Sequence, residues 1–331
     1  MHSRRTHLKL LSAGGLATVL PGCSQLGANS RITIGHTADV QHPVHLSMSR
    51  FGEELMRVSG QSVEVEVFPN AQLGTERELV ELVQLGAISM TKVSSLSLES
   101  FSPNFGVYSL PYVFDDSEHQ RRVLQSEIGQ ELLDELSDVL LKGIGHFDAG
   151  ARSFYMADRP INTPDDIRGM TVRVLPSRAL VKTVETFGGA ATPIAFGELY
   201  AALQQGVVDG AENNPPSVLN ARHHEVAKYY SLDEHVSAPD VIVMSQSVWD
   251  ALSAEQQGWV KQAMTAAETY QRELWRKASD DALAEIEASG VIVNRPDKAP
   301  FREAVADLKA SYNGTRIGEL TARIEAMSEV I

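Results

Sequence analysis

Residues Gln204 to Pro216 read QQGVVDGAENNPP, and the two halves of this stretch carry different signals. Gln204-Gln205-Gly206 closes a helical pattern, because glycine after the last apolar repeat ends helices. Val207-Val208 and Gly210-Ala211 then read as a short buried strand. Glu212, Asn213 and Asn214 follow and stand directly before Pro215-Pro216. The two prolines fix the backbone that carries a carboxylate and two amides. At the carboxyl end of a parallel strand, side chains face the crevice where α/β proteins bind ligands. The stretch is either a plain Asn-Pro turn or half of a binding site, and its surroundings decide which.

Upstream of it, a strand at 153–157 precedes Thr163-Pro164-Asp165-Asp166, which reads as a helix N-terminus with cap, first-turn proline and two acids. A strand at 170–175, a helix at 177–187 closed by Gly188-Gly189 and a helix at 196–205 lead into the quoted stretch. The same rhythm occurs earlier. Residues 31–35 alternate as a strand, His42-Pro43 opens a helix that stops at Gly60, and 63–68 alternate strictly. An amphipathic helix over 76–85 ends at Gly86, and a strand follows at 88–93. Two such runs predict an α/β protein of two lobes with parallel sheets. Ser253-Ala-Glu-Gln256 is a capping box, and the helical pattern runs on to about Ser289. A helix of that length is on the order of 50 Å long, wider than one lobe, so it is expected to span both.

The chain has 331 residues, 43% of them hydrophobic and 22% charged, which is ordinary for a globular protein. Its net charge of −14 argues against nucleic acid as a partner. Residues 1–22 form an export signal, with a basic start (Arg4, Arg5, Lys9) and an apolar stretch from Leu10 to Leu20. Ser3-Arg4-Arg5-Thr6-His7-Leu8-Lys9 is twin-arginine-like, and Leu20-Pro21-Gly22-Cys23 is lipobox-like, with Cys23 as the lipidation site. Loss of residues 1–22 removes those three basic residues and no acid, so the charge moves from −14 to −17. Cys23 is the only cysteine, which leaves no intrachain disulfide.

Arg173 stands within Val172-Arg173-Val174-Leu175, where its neighbours call for burial. A buried guanidinium needs either an ion-pair partner or a ligand carboxylate, and arginine's fork suits bidentate carboxylate binding. Arg152 beside Gly150 is a second candidate, although an arginine at a glycine turn is more often solvated. His42 and His45, and the adjacent His223, His224 and Glu225, lack metal-ligand spacing, so no metal or cofactor is expected. The sequence has no phosphate loop or nucleophile elbow, and its acid pairs Asp115-Asp116 and Asp165-Asp166 sit at helix starts.

Taken together, the export signal, Gln72-Leu73-Gly74 with Glu76-Arg77, Leu110-Pro111-Tyr112-Val113-Phe114, Arg173, Thr192-Pro193 with Phe196, and Val208 to Asn213 resemble the substrate-binding proteins of TRAP transporters. The resemblance runs from about Ile32 to Tyr312. It implies a two-lobed periplasmic-binding-protein fold, type II-like, with a long helix spanning both lobes. The expected division is 31–150 with 240–275 for the first lobe and 151–239 with 276–331 for the second. It further implies a monomeric periplasmic receptor that closes on an organic acid and hands it to a sodium-driven permease. On that resemblance Arg173 clamps the ligand carboxylate, Asn213 bonds beside it, Phe196 flanks it and Arg152 is a second ligand arginine. Glu76 contacts ligand hydroxyls and Ser94 is a neighbouring contact position.

ENNPP and Thr91-Lys92-Val93-Ser94 resemble the branch that takes hexuronates, and Ser94 stands where sialic-acid receptors carry an acid. Lys92, Glu76, His42, Asn213 and Asn214 fit a polyhydroxylated partner such as glucuronate, galacturonate or an aldonate. Three alternatives remain at this point. They are the same fold binding a dicarboxylate or keto acid, a receptor feeding a sensory kinase, and an exported carbohydrate-active enzyme. Turnover of a bound sugar acid would mark the enzyme, and a neighbouring permease or kinase gene would separate the other two.

Overall fold

The computed structural model describes residues 30–328. The export signal, the twin-arginine-like motif and Cys23 lie outside them. Eleven strands are described: β1 (Ser30–Gly35), β2 (Val63–Phe68), β3 (Met90–Ser94), β4 (Leu141–Phe147), β5 (Ala151–Met156), β6 (Thr171–Val174), β7 (Ala190–Pro193), β8 (Gly210–Asn213), β9 (Tyr229–Ser237), β10 (Asp240–Ser245) and β11 (Ile292–Asn294). They form two sheets, one of order β2-β1-β3-β10-β4 and one of order β11-β9-β5-β8-β6-β7.

Two short segments pass between the sheets, one from β4 to β5 and one from β9 to β10. Each strand that enters from the other lobe runs antiparallel to its new neighbours. β10 pairs antiparallel with β3 and β4, and β5 with β8 and β9. β1, β2 and β3 are parallel, as are β6, β7 and β8.

Each sheet is buried on both faces, which explains its apolar strands. Along β10, Val241 and Val243 enter one core while Ile242 and Met244 enter another. In the second sheet Phe154 and Met156 face one core and Tyr155 the other. The expected capping box opens the long helix Ala254–Ala288, with Ser253 and Gln256 bonded reciprocally. Its Val260, Ala263, Met264 and Ala267 pack into the core of the first sheet, and Ile286 packs into a core of the second. The helix therefore spans both lobes. Midway along it, Gln271 accepts from Asp148 N (3.0 Å) and donates to Asp148 O (2.7 Å), fixing the β4–β5 crossing. Gly150 turns that crossing at φ +58°, and a Cβ there would meet Trp275 Nε1 at 3.0 Å.

Two sequence expectations need correction. Thr163 caps one turn of 3-10 helix, Pro164–Ile167, because Gly169 at φ +74° already turns the chain into β6. The C-terminal helix Arg316–Glu325, expected in the second lobe, packs on the first. Its Leu320 and Ile324 join the core that holds Phe105, Val93 and Val241. Arg323 Nη1 donates to Glu131 Oε2 at 2.8 Å, and Arg316 also pairs with Glu131. The apolar side of this helix finds the uncovered surface of the first-lobe helices, which proximity in sequence does not reveal.

Candidate functional site

The carboxyl ends of the parallel strands in the two sheets face each other across a cavity of about 600 Å³. All nine residues expected from sequence line it: His42, Glu76, Lys92, Ser94, Arg152, Arg173, Phe196, Asn213 and Asn214. Strand direction explains the convergence. Lys92 and Ser94 end β3, and Asn213 ends β8. Arg152 opens β5, which runs antiparallel to β8 with Ser153 opposite Asn213. Glu76 begins the helix Glu76–Gln84 behind its Thr75 cap, and His42 caps the helix Pro43–Val58.

Arg173 is fully buried, and among the described residues it forms no ion pair with a carboxylate. Its Nε and Nη2 donate to Ile194 O at 2.8 and 2.7 Å, while Nη1 has no partner. Burial pushes its guanidinium below the usual arginine range. A cation held in this way favours an incoming anion, since the desolvation cost has already been met in the folded chain.

Arg152 is held differently. Nε bonds Glu212 Oε2, Nη2 donates to Glu212 Oε1 and O (both 2.9 Å), and Nη1 donates to Asn213 Oδ1 (2.9 Å). Burial opposes its charge, but Glu212 holds its pKa above the usual arginine range. One Nη1 proton remains for a ligand. Asn213 Oδ1 also accepts from Asn214 N (2.9 Å), so Asn213 offers its NH₂ to the cavity. Asn214 is a helix cap. Its Oδ1 accepts from Ser217 N and its Nδ2 donates to Ala149 O, at 2.9 and 3.0 Å. The stiff stretch therefore supplies one amide to the cavity and uses the other to anchor the turn.

On the first-lobe wall, Lys92 Nζ lies 3.1 Å from Glu76 Oε1 and 3.3 Å from Asp240 Oδ1. Glu76 also accepts from Ser94 N (3.0 Å) and Ser97 Oγ (2.6 Å). Burial opposes charge on all three side chains. Lys92 is nevertheless held above the usual lysine range by Asp240 and Glu76, and Glu76 below the usual carboxylate range by Lys92 and its hydrogen bonds. For Asp240 burial wins and its pKa rises. His42 Nδ1 accepts from Val44 N (3.2 Å), so its Nε2 carries the proton toward Ser217 Oγ at 3.3 Å in the other lobe. Burial lowers its pKa to about 3, leaving it neutral.

Phe196 stands edge-on to His223, with centroids 5.5 Å apart. His223, considered from sequence only for its lack of metal-ligand spacing, is buried, bonds Tyr155 Oη at 2.8 Å and lines the cavity. Asp240, Ser97, Ser217 and His223 were missed as lining residues. For Asp240 one signal existed, an acid placed at the head of the apolar run Val241 to Met244. Glu212 was legible too, as an acid inside a buried strand. At the cavity rim Glu99 joins the lobes, accepting from Ser177 Oγ (2.5 Å) and Arg178 N (3.2 Å), and Ser100 Oγ donates to Pro176 O (3.1 Å).

The family model for bacterial extracellular solute-binding proteins, family 7, matches residues 34–315. The protein YiiZ of Salmonella typhimurium is 38% identical over 281 residues, which cover 84% of this chain and 85% of that one. A crystal structure of a TRAP periplasmic solute-binding protein from Sulfitobacter sp. NAS-14.1 with bound β-D-galacturonate is 36% identical, with a TM-score of 0.87 over 89% of this chain and 99% of that chain. Another, from Roseobacter denitrificans with bound β-D-glucuronate, is 35% identical, with a TM-score of 0.87 over 90% of this chain and 100% of that chain. By sequence, fold and the architecture of its interlobe cavity, this protein belongs to family 7 of the bacterial extracellular solute-binding proteins, the periplasmic receptors of TRAP transporters.

Proposed function

We propose that this receptor binds a hexuronate, glucuronate or galacturonate, between its lobes and delivers it without turnover to a sodium-driven TRAP permease. One observation carries the reading: Arg173 is a buried cation with no ion-pair partner among the described residues and an unpartnered Nη1, in a cavity otherwise rich in hydroxyl partners. The ligand carboxylate supplies that counter-ion in bidentate or near-bidentate form. Asn213 donates beside it and Phe196 covers a sugar face. Glu76, Ser94, Lys92 and Asp240 offer the mixed acceptors and donors that ring hydroxyls need. Bound uronates in similar proteins support the same class. The lobes of this mechanism are 31–150 with 240–275 and 316–328, and 151–239 with 276–315. The protein acts as a monomer, tethered to the membrane through a lipid on Cys23.

A thermal-shift screen of the purified protein against uronates, aldonates, keto acids and dicarboxylates tests the reading. Ligand at about 1,000 times its Kd adds about 4 kcal/mol, hence a melting rise of several degrees. A rise confined to dicarboxylates or keto acids would overturn the uronate assignment.

A further inference from the structure

Resting on the uronate reading, we propose that Asp240 restricts the site to acids with a single carboxylate, by keeping the first-lobe wall of the cavity negative. The two walls carry unlike charge. On the second-lobe side Arg152 is neutralised by Glu212, and Arg173 remains as one uncompensated cation. On the first-lobe side two acids, Glu76 and Asp240, share the single ammonium of Lys92. Among the buried charged groups of that wall, acids therefore outnumber cations two to one.

The two acids are not equivalent. Glu76 receives three hydrogen bonds from Lys92, Ser94 N and Ser97 Oγ. Asp240 receives one, from Lys92, although it is 6% exposed. Its second carboxylate oxygen is left as an acceptor in the cavity. A ligand hydroxyl donates to such an oxygen, whereas a second ligand carboxylate meets like charge in a site with little water to screen it. Asp240 reaches this wall because β10 starts at the interlobe crossing and runs antiparallel to β3, with Asp240 opposite Ser94. Loss of its charge leaves Lys92 paired with Glu76 alone, and the buried charges of that wall then balance.

The test compares three six-carbon acids by calorimetry on the intact protein and on Asp240→Asn: galacturonate, galactonate and galactarate. Galactonate and galactarate are both open-chain, so their affinity ratio isolates the second carboxylate. The native protein is expected to prefer galactonate at least 30-fold, and Asp240→Asn is expected to narrow that ratio at least tenfold. A change in packing alone lowers both affinities and leaves the ratio unmoved. Should Asp240→Asn fail to fold, Asp240→Ser carries the same comparison. An unchanged ratio alongside normal galacturonate binding overturns the role of Asp240 and leaves the uronate reading standing. No galacturonate binding by the native protein overturns both.

Discussion

Arg173 and Arg152 are both buried, yet they do different work, and the difference lies in their partners. Arg152 is one half of a buried ion pair with Glu212, a side chain with no exposure. Removing one member of such a pair leaves the other charge buried and alone, which costs about 3–5 kcal/mol. Glu212→Ala should therefore lower unfolding free energy by that order in chemical denaturation, whatever ligand is present. Arg173 has no such partner, so Arg173→Ala should leave the melting temperature of the unliganded protein within a few degrees of native. Arg173 was legible in the sequence as a cation inside an apolar strand, whereas Arg152 was read at a glycine turn where arginine is more often solvated, and the fold buries it. Their division of labour was not legible, because Glu212 lies 60 residues from Arg152 and only the antiparallel entry of β5 brings them together. Asp240 was missed for a similar reason, since it meets Lys92 across 148 residues.

Local signals gave the individual elements well. The capping box at Ser253, the proline start at Pro43 and the glycine stops at Gly60 and Gly86 mark helix ends within a residue or two. Docking between elements was less legible, as the C-terminal helix shows, because an amphipathic helix does not encode which lobe it covers. The interlobe contact of Glu99 with the N-terminus of the helix Arg178–Thr186 is a case with functional weight. A carboxylate at a helix N-terminus contributes on the order of 0.3–1 kcal/mol. If this contact forms only as the lobes close, Glu99→Ala should weaken ligand binding about two- to fivefold. The loss should appear as faster dissociation in stopped-flow measurements, with the melting temperature of the unliganded protein unchanged. An equal loss of unliganded stability would show that the contact is permanent. Asn214→Ala removes the cap of the helix Pro215–Asn220 and its tie to Ala149, and should cost about 1 kcal/mol of stability.

For the molecule as a whole, burial sets the acid limit of stability. Burial depresses the pKa of His36, His42 and His223 to about 3 and that of His146 to about 4. Their unfolded values lie near 6.5. Each is thus neutral in the fold, and the unfolded chain takes up the proton first. The stability they contribute is complete above about pH 6.5 and is lost as pH falls toward 4, by up to about 1.4 kcal/mol per pH unit for each group. Melting temperatures across pH 8 to 4 should therefore be flat at first and then fall. The two-lobed architecture with its spanning helix was legible from the repeated strand–helix rhythm and the length of one capped helix. The charge of the closed cavity was not, since it arises only where the two sheets face each other. The most direct test of the whole reading is titration calorimetry of galacturonate and glucuronate into the native protein and Arg173→Ala. Tight binding of at least one uronate by the native protein, with a loss of about 2–5 kcal/mol in the variant, is the expected result. Equal affinity in the two proteins would contradict the carboxylate clamp.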